Sequence, residues 1–200
     1  MKKIVFATSN ETKSKRFSEG LLKKGIEVLS LKDIDLKLNI EEDGSSVIDN
    51  ALIKARECYK KTKMPSIGMD DSLYMEGVPL DRQPGLFVRR INGKTLTDEE
   101  MIEYYTNLVK EYGINERINC KWIYGLAVID EKGREATYTW FKDDFYMVSK
   151  RSDKLNKGYP LNSISKYKKL DKYFTDVTFD EMKLIEVNED DVVDFIASHI

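Results

Sequence analysis

Ser66-Ile67-Gly68-Met69-Asp70-Asp71-Ser72 sets two adjacent carboxylates directly behind a short apolar run. Apolar residues bounded by polar ones mark a strand, and acids at the end of a buried strand are costly unless a metal, a proton or hydrogen bonds compensate them. Ligand sites in α/β proteins gather at the carboxyl ends of strands, so the pair is read as chemistry placed on one strand of an alternating α/β chain.

The flanking sequence supports that class. Upstream, Ile4-Val5-Phe6-Ala7 is a β-branched and apolar run closed by Thr8-Ser9-Asn10, after which Phe17, Leu21 and Leu22 recur at helical spacing until Gly25. Ile26 to Leu31 predicts a second strand. Residues 39–45 form a polar, acidic loop, and Val47, Ile48, Ala51, Leu52, Ala55 and Tyr59 lie along one side of a following helix. Downstream, Gly77 to Gly93 holds two prolines and three glycines and predicts an irregular segment. Thr97 and Glu100 predict a capping box on a helix that ends near Tyr112-Gly113. Ile118 to Ile129 and Ala136 to Val148 are aromatic and β-branched and flank Asp130-Glu131-Lys132-Gly133, the pattern of a long antiparallel hairpin. From Ser152 to Ile200 the chain is Lys- and Asp-rich, and only Glu189 to Ala197 predicts a helix.

Composition narrows the class of function. A chain of 200 residues with 41% hydrophobic and 34% charged content can bury a core of ordinary size. Its 33 basic and 35 acidic residues are interspersed, which leaves no basic footprint for nucleic acid. No apolar run approaches the roughly 20 residues of a membrane span, and Met1-Lys2-Lys3 leads into a short strand rather than a signal-peptide core. Cys58 and Cys120 are far apart and lack metal or redox spacing, so both are expected as reduced core thiols. The expectation is a cytoplasmic protein with no nucleic-acid or membrane partner.

Three segments carry candidate chemistry. Thr8-Ser9-Asn10 ends a strand and opens a helix, where backbone N–H groups suit phosphate oxygens, and Lys13 is one turn further on. Taken alone, the same residues also read as an ordinary N-cap with a solvated lysine. Glu41, Glu42 and Asp43 precede Gly44, and one or two carboxylates with substrate phosphates are a common Mg²⁺ site, although such a run is also a common solvated turn. Lys54, on the next helix, reads as answering a phosphate or a neighbouring carboxylate, or as an ordinary exposed lysine. At Asp70-Asp71 one carboxylate can bind a metal while the other takes a proton from water.

In their order, Thr8-Ser9-Asn10-x-x-Lys13, Glu41-Glu42-Asp43-Gly44, Asp49-Asn50-Ala51-x-x-Lys54-Ala55, Asp70-Asp71-Ser72, and Pro84-Gly85-Leu86-Phe87 with Arg90, the chain resembles the inosine triphosphate pyrophosphatase (Ham1-like) family over its first ninety residues. The resemblance implies hydrolysis of deaminated purine nucleoside triphosphates such as ITP, dITP and XTP to monophosphate and pyrophosphate, with Mg²⁺. It implies a two-lobed α/β fold with a long central mixed sheet flanked by helices, a single domain with a nucleotide cleft between its lobes, and a homodimer. Carried over by position, Thr8, Ser9, Asn10 and Lys13 would cradle the triphosphate, Lys54 would meet phosphate, and Ser72, Arg90 and Tyr159 would touch substrate. Glu41, Glu42, Asp70 and Asp71 would hold the metal. Asp71 would be the general base, with Lys13 offsetting charge on the departing pyrophosphate.

The departures concern the base. Leu73 stands where the family usually has glycine, and Val88-Arg89-Arg90-Ile91 replaces a Ser-Ala-Arg-Tyr-like run. The family's Phe-Gly-Tyr-Asp-Pro loop survives only as Lys157-Gly158-Tyr159-Pro160, without the aspartate, although Thr178 to Met182 resembles the segment after it. Its Ser-His-Arg element has a counterpart only in Ser198-His199, with Ile200 in place of arginine. Trp122, Tyr124, Tyr138 and Trp140 offer aromatic surface for a base, or at strand spacing simply pack across strands. The sequence therefore predicts a pyrophosphatase with altered base preference, and as the alternative a nucleotide-binding protein that has lost turnover.

Overall fold

Ile4, Val5 and Phe6 are fully buried and make the inner half of β1 (Lys2–Phe6), which pairs in parallel with β2 (Ile26–Ser30) and with β3 (Ser66–Met75). The computed structural model describes residues 1–8, 10–185 and 189–200, without the side chains of residues 11 and 12. Parallel neighbours need crossovers, and helices supply them. Between β1 and β2 the expected single helix is two short ones, α1 (Glu11–Lys15) and α2 (Ser18–Lys23). The break falls at Phe17, whose φ of -109° and ψ of 0° leave the helical region, while its ring stacks on Phe6 and meets Trp140 edge-on. Packing of that ring overrides continuation of the helix.

β2 reaches β3 through α3 (Val47–Thr62), capped by Ser46, whose hydroxyl accepts the Asp49 N–H at 3.1 Å. α3 lies hard on the sheet at Gly68, where a Cβ would stand 1.9 Å from the Ala51 carbonyl oxygen. Only glycine permits so close an approach of helix to strand.

Among the described residues the main sheet has seven strands in the order β2-β1-β3-β6-β7-β8-β9, with β6 (Arg117–Ile129), β7 (Glu135–Val148), β8 (Ser165–Tyr167) and β9 (Lys172–Tyr173). It is mixed, parallel through β1 to β3 and antiparallel from β7 to β9. The predicted hairpin is β6 and β7, joined by a turn in which the Asp130 carboxylate accepts the Lys132 and Arg134 N–H groups at 2.9 and 2.8 Å. β4 (Arg90–Ile91) and β5 (Lys94–Thr95) form a separate ribbon before α4 (Asp98–Tyr112), where the Thr97–Glu100 capping box is present as expected. α5 (Phe179–Met182) and α6 (Asp190–Ser198) complete the elements, the latter within a residue of the predicted helix at each end.

The chain divides into two compact units. The first comprises Met1–Asp71, Tyr124–Trp140 and the C-terminal stretch with α6; the second comprises Ser72–Ile123 and the chain from Phe141 through α5. The first unit packs Val5, Ala7, Leu31 and Cys58 into one cluster and Ala51, Ala55, Ala127 and Ile129 into another. The second is built round Leu73, Met75, Tyr105, Leu108, Phe145 and Met147, with Trp122 against them. Both cysteines are buried and free, and burial pushes the Cys120 thiol up to about 12.

One expectation needs correcting. The strand predicted over Ser66 to Met69 continues to Met75, so Asp70 and Asp71 lie inside β3 rather than behind it. The strand persists because Leu73 and Met75 carry the buried alternation onward and because both carboxylates are paired there.

Candidate active site

Asn50 and Lys54 stand one turn apart on α3, and both are buried in a face that is otherwise apolar. The tight seat of α3 on Gly68 brings them over Asp70. The Lys54 ammonium donates to Asp70 Oδ1 at 2.8 Å and to the Met69 carbonyl at 3.3 Å, and Asn50 Nδ2 donates to Asp70 Oδ2 at 2.8 Å. Glu42 Oε2 approaches the same ammonium at 3.3 Å. Asp70 is 7% exposed, so this compensation is what allows a carboxylate in the strand.

Asp71, the next residue, faces the other way along the strand and pairs with Lys13. Lys13 arrives from the β1–α1 turn, where Asn10 acts as N-cap: its Oδ1 accepts the Lys13 N–H at 3.3 Å, and Thr8 Oγ1 accepts the Asn10 N–H at 3.1 Å. Tyr124 lies near Asp71. Burial pushes its phenol up to about 12, opposed by Arg16 and reinforced by the charges of Asp71 and Glu189.

A cavity of about 380 Å³ opens beside Lys13 and the Lys54–Asp70 pair, lined by Thr8, Asn10, Lys13, Asn39, Glu42, Lys54 and Asp70 over an apolar floor that includes Leu31 and Leu38. Its size suits a small phosphorylated ligand. Three carboxylates, Glu42, Asp70 and Asp71, meet two ammonium groups, Lys13 and Lys54. A polyphosphate entering this slightly anionic setting calls for an added cation. Glu42 and Asp70 converge on one ammonium, and two such carboxylates together with substrate phosphates could hold a Mg²⁺. An all-protein cage is absent: no group of three or more His, Cys, Asp or Glu converges among the described residues.

Ser9 falls outside the described residues. Glu41 is exposed and lines a neighbouring hollow with Ile53 and Arg56. Ser72, Arg90 and Tyr159 belong to the second unit. Ser72 is half-buried in β3, Arg90 places its guanidinium 5.3 Å from the Phe87 ring, and Tyr159 is exposed at the start of a 3-10 turn over Pro160–Ser163. Beside it, the Gly158 N–H donates to Asp98 at 2.8 Å, and this bond leads the effects that hold the Asp98 carboxyl below its usual range. Trp140 stacks on Tyr124 at 5.0 Å between ring centroids, and Tyr138 packs on Phe195, so these aromatics serve packing within the first unit. His199 ends α6, its Nδ1 2.8 Å from the Phe195 carbonyl.

Two partners have no role assigned from the sequence. Asn50, quoted only within the Asp49 to Ala55 motif, is one, and its signal is a polar pair at helical spacing interrupting an apolar face. Arg16 is the other, forked onto Glu189 and seated 4.4 Å from the Tyr124 ring centroid. Nothing local in the sequence marks that long-range pair.

A model of the Ham1 family matches residues 4–188. A dITP/XTP pyrophosphatase of Oceanobacillus iheyensis is 30% identical over 191 residues, covering 94% of this chain and 91% of the relative. One of Leptospira interrogans is 31% identical over 135 residues, covering 68% of this chain and 66% of the relative, just under two thirds of its length. The solved structure of the Staphylococcus aureus Ham1 protein superposes with a TM-score of 0.76 at 18% identity over 100% of both chains, a likeness of fold.

Proposed function

As the chain belongs to the Ham1 family, we propose that it is a nucleoside-triphosphate pyrophosphatase that hydrolyses deaminated purine nucleoside triphosphates of the dITP and XTP type to monophosphate and pyrophosphate, with Mg²⁺ as its metal. The observation that carries this reading is the pairing of Lys13 with Asp71 and of Lys54 with Asp70 and Glu42 beside one cavity. Phosphoryl and nucleotidyl transfer needs positioning and neutralisation of spread charge more than covalent chemistry, and these residues provide both.

In this reading the two lysines exchange partners when substrate arrives. Lys54 and Lys13 leave carboxylates for phosphate oxygens, and Asp71, relieved of its ammonium, accepts the proton of a water attacking the α-phosphorus. Lys13 then offsets charge on the departing pyrophosphate, with Thr8 and Asn10 shaping the turn that receives it. Glu42 and Asp70, with Asp71 at the edge of the set, would hold Mg²⁺, which supplies charge neutralisation and a more acidic water. Base preference is shifted or broadened, because the base-loop aspartate and the C-terminal arginine are missing and His199 is engaged at its own helix end.

The interspersed charge supports a protein that binds no nucleic acid, and the two buried free thiols support a reducing compartment, the cytoplasm. Among the described residues no helix is long and apolar enough to cross a membrane. The family resemblance supports a homodimer.

The test is product analysis for ITP, XTP, dITP, dUTP and the four standard triphosphates, with Mg²⁺ and with chelator. Pyrophosphate from the deaminated purines, abolished by chelator, is the expected result. Orthophosphate as product would reject the reaction type, and a folded protein that binds inorganic triphosphate without turning over any nucleotide would make the chain a binding protein.

A further inference from the structure

We propose that Asn50 is a positioning residue that locks Asp70 and the acidic loop into one arrangement. Its side chain bridges two segments far apart in sequence. Nδ2 donates to Asp70 Oδ2 at 2.8 Å, and Oδ1 accepts the Gly44 N–H at 2.9 Å. The two partners fix which way the amide points, since a flipped carboxamide would set oxygen against carboxylate and N–H against N–H. Asn50 is 3% exposed, which shields both bonds from bulk solvent.

Gly44 supplies an independent observation. A Cβ there would lie 2.6 Å from Asn50 Oδ1 and 2.8 Å from the Asn50 backbone nitrogen, so the loop reaches the amide only as glycine. Gly44 is two residues beyond Glu42, and the bond therefore fixes where Glu42 leaves the loop. Glu42 meets the Lys54 ammonium, Lys54 meets Asp70 Oδ1, and Asp70 Oδ2 returns to Asn50. Loop, helix and strand thus close into a ring of polar contacts with Asn50 as its only neutral side chain. Each oxygen of Asp70 has its own donor, which sets the carboxylate plane. Groups that hold a ligating or reacting side chain in this way affect turnover without touching substrate.

The inference rests on the proposed reaction for its kinetic arm and on structure alone for its other arm. Asn50→Asp keeps an acceptor for Gly44 and turns a carboxylate toward Asp70. With dITP and Mg²⁺ the expected loss in kcat is roughly 10- to 100-fold, with KM changed by no more than about twofold because the substrate contacts remain. Gly44→Ala, whose Cβ presses on the Asn50 amide and so disturbs the ring from its loop side, is expected to lose kcat in the same sense. Hydrogen exchange of the Gly44 amide, read by NMR, is expected to stay slow in Asn50→Asp and to accelerate in Asn50→Leu. A merely structural Asn50 would lower the melting temperature and leave kcat of the folded protein untouched, and that result overturns the proposal. Unchanged Gly44 exchange in folded Asn50→Leu overturns it equally. If the wild type turns over no triphosphate, the proposed reaction fails, and the exchange experiment still decides the lock.

Discussion

Replacing Lys54 by Met keeps most of the unbranched stem and removes the charge on which Asp70 and Glu42 both rest. Lys54 is 8% exposed and Asp70 7%, so the pair is buried and the loss strands a carboxylate. Breaking one side of such a pair costs about 3 to 5 kcal/mol. The Glu42 limb adds little, because its side chain is 37% exposed and its distance is 3.3 Å, the regime in which ion pairs are worth about 0 to 1 kcal/mol. The loss therefore belongs to Asp70, and at this chain length it corresponds to a fall in melting temperature on the order of 6–20 °C. Urea unfolding of the wild type, Lys54→Met, Asp70→Asn and the double variant separates the terms. The double variant is expected to recover about 2 kcal/mol or more relative to Lys54→Met, since the uncompensated charge has gone. A Lys54→Met protein within about 1 kcal/mol of wild type, or a double variant no more stable than Lys54→Met, would refute the claim that this ammonium makes Asp70 tolerable in the strand.

Two further outcomes follow from packing and titration. Gly68→Ala drives a methyl group into the Ala51 carbonyl, 1.9 Å from the ideal Cβ position, so α3 must lift from β3; a stability loss of about 3 kcal/mol or more is expected by urea unfolding, against a much smaller one for Gly20→Ala, where only the Val193 side chain must yield. Glu100 is held down to about 2 from an ordinary 4.5, first by Lys94 and then by the Thr97 N–H. A carboxylate lowered in the folded state stabilises above its unfolded value and stops doing so as pH falls through its folded one. The stability gap between wild type and Glu100→Gln is therefore expected to be full at pH 6, to shrink below pH about 4.5 and to vanish near pH 2. A gap independent of pH would show that Glu100 acts through hydrogen bonding alone.

Much of the architecture was legible because it is locally encoded. The α4 capping box, the β6–β7 hairpin round Asp130, the strands β1 and β2 and α6 all carry their signals within a few residues. What failed was decided at a distance. Acids are depleted in strands, so reading stopped β3 at Met69, whereas Asn50 and Lys54 on α3 make Asp70 compatible with a strand that continues to Met75. Phe17 interrupts the first helix because rings from β1 and β7 receive it. The short strands β8 and β9 are too brief for any periodicity to show. In the candidate site, residue types and order were visible, but their pairing was not. Lys13 with Asp71, and Lys54 with both Asp70 and Glu42, are three-dimensional facts that no local pattern carries.

The most direct test of the account is pyrophosphate release from dITP by wild-type protein and by Asp71→Asn, each shown to be folded. Asp71 pairs with Lys13, which remains 27% exposed and can be hydrated when the carboxylate is lost, so the variant is expected to fold. The account predicts turnover by the wild type and a loss of roughly 10²- to 10⁴-fold in kcat on removing the base. Wild-type rates in Asp71→Asn would contradict it, and so would a folded wild-type protein that releases no pyrophosphate from dITP.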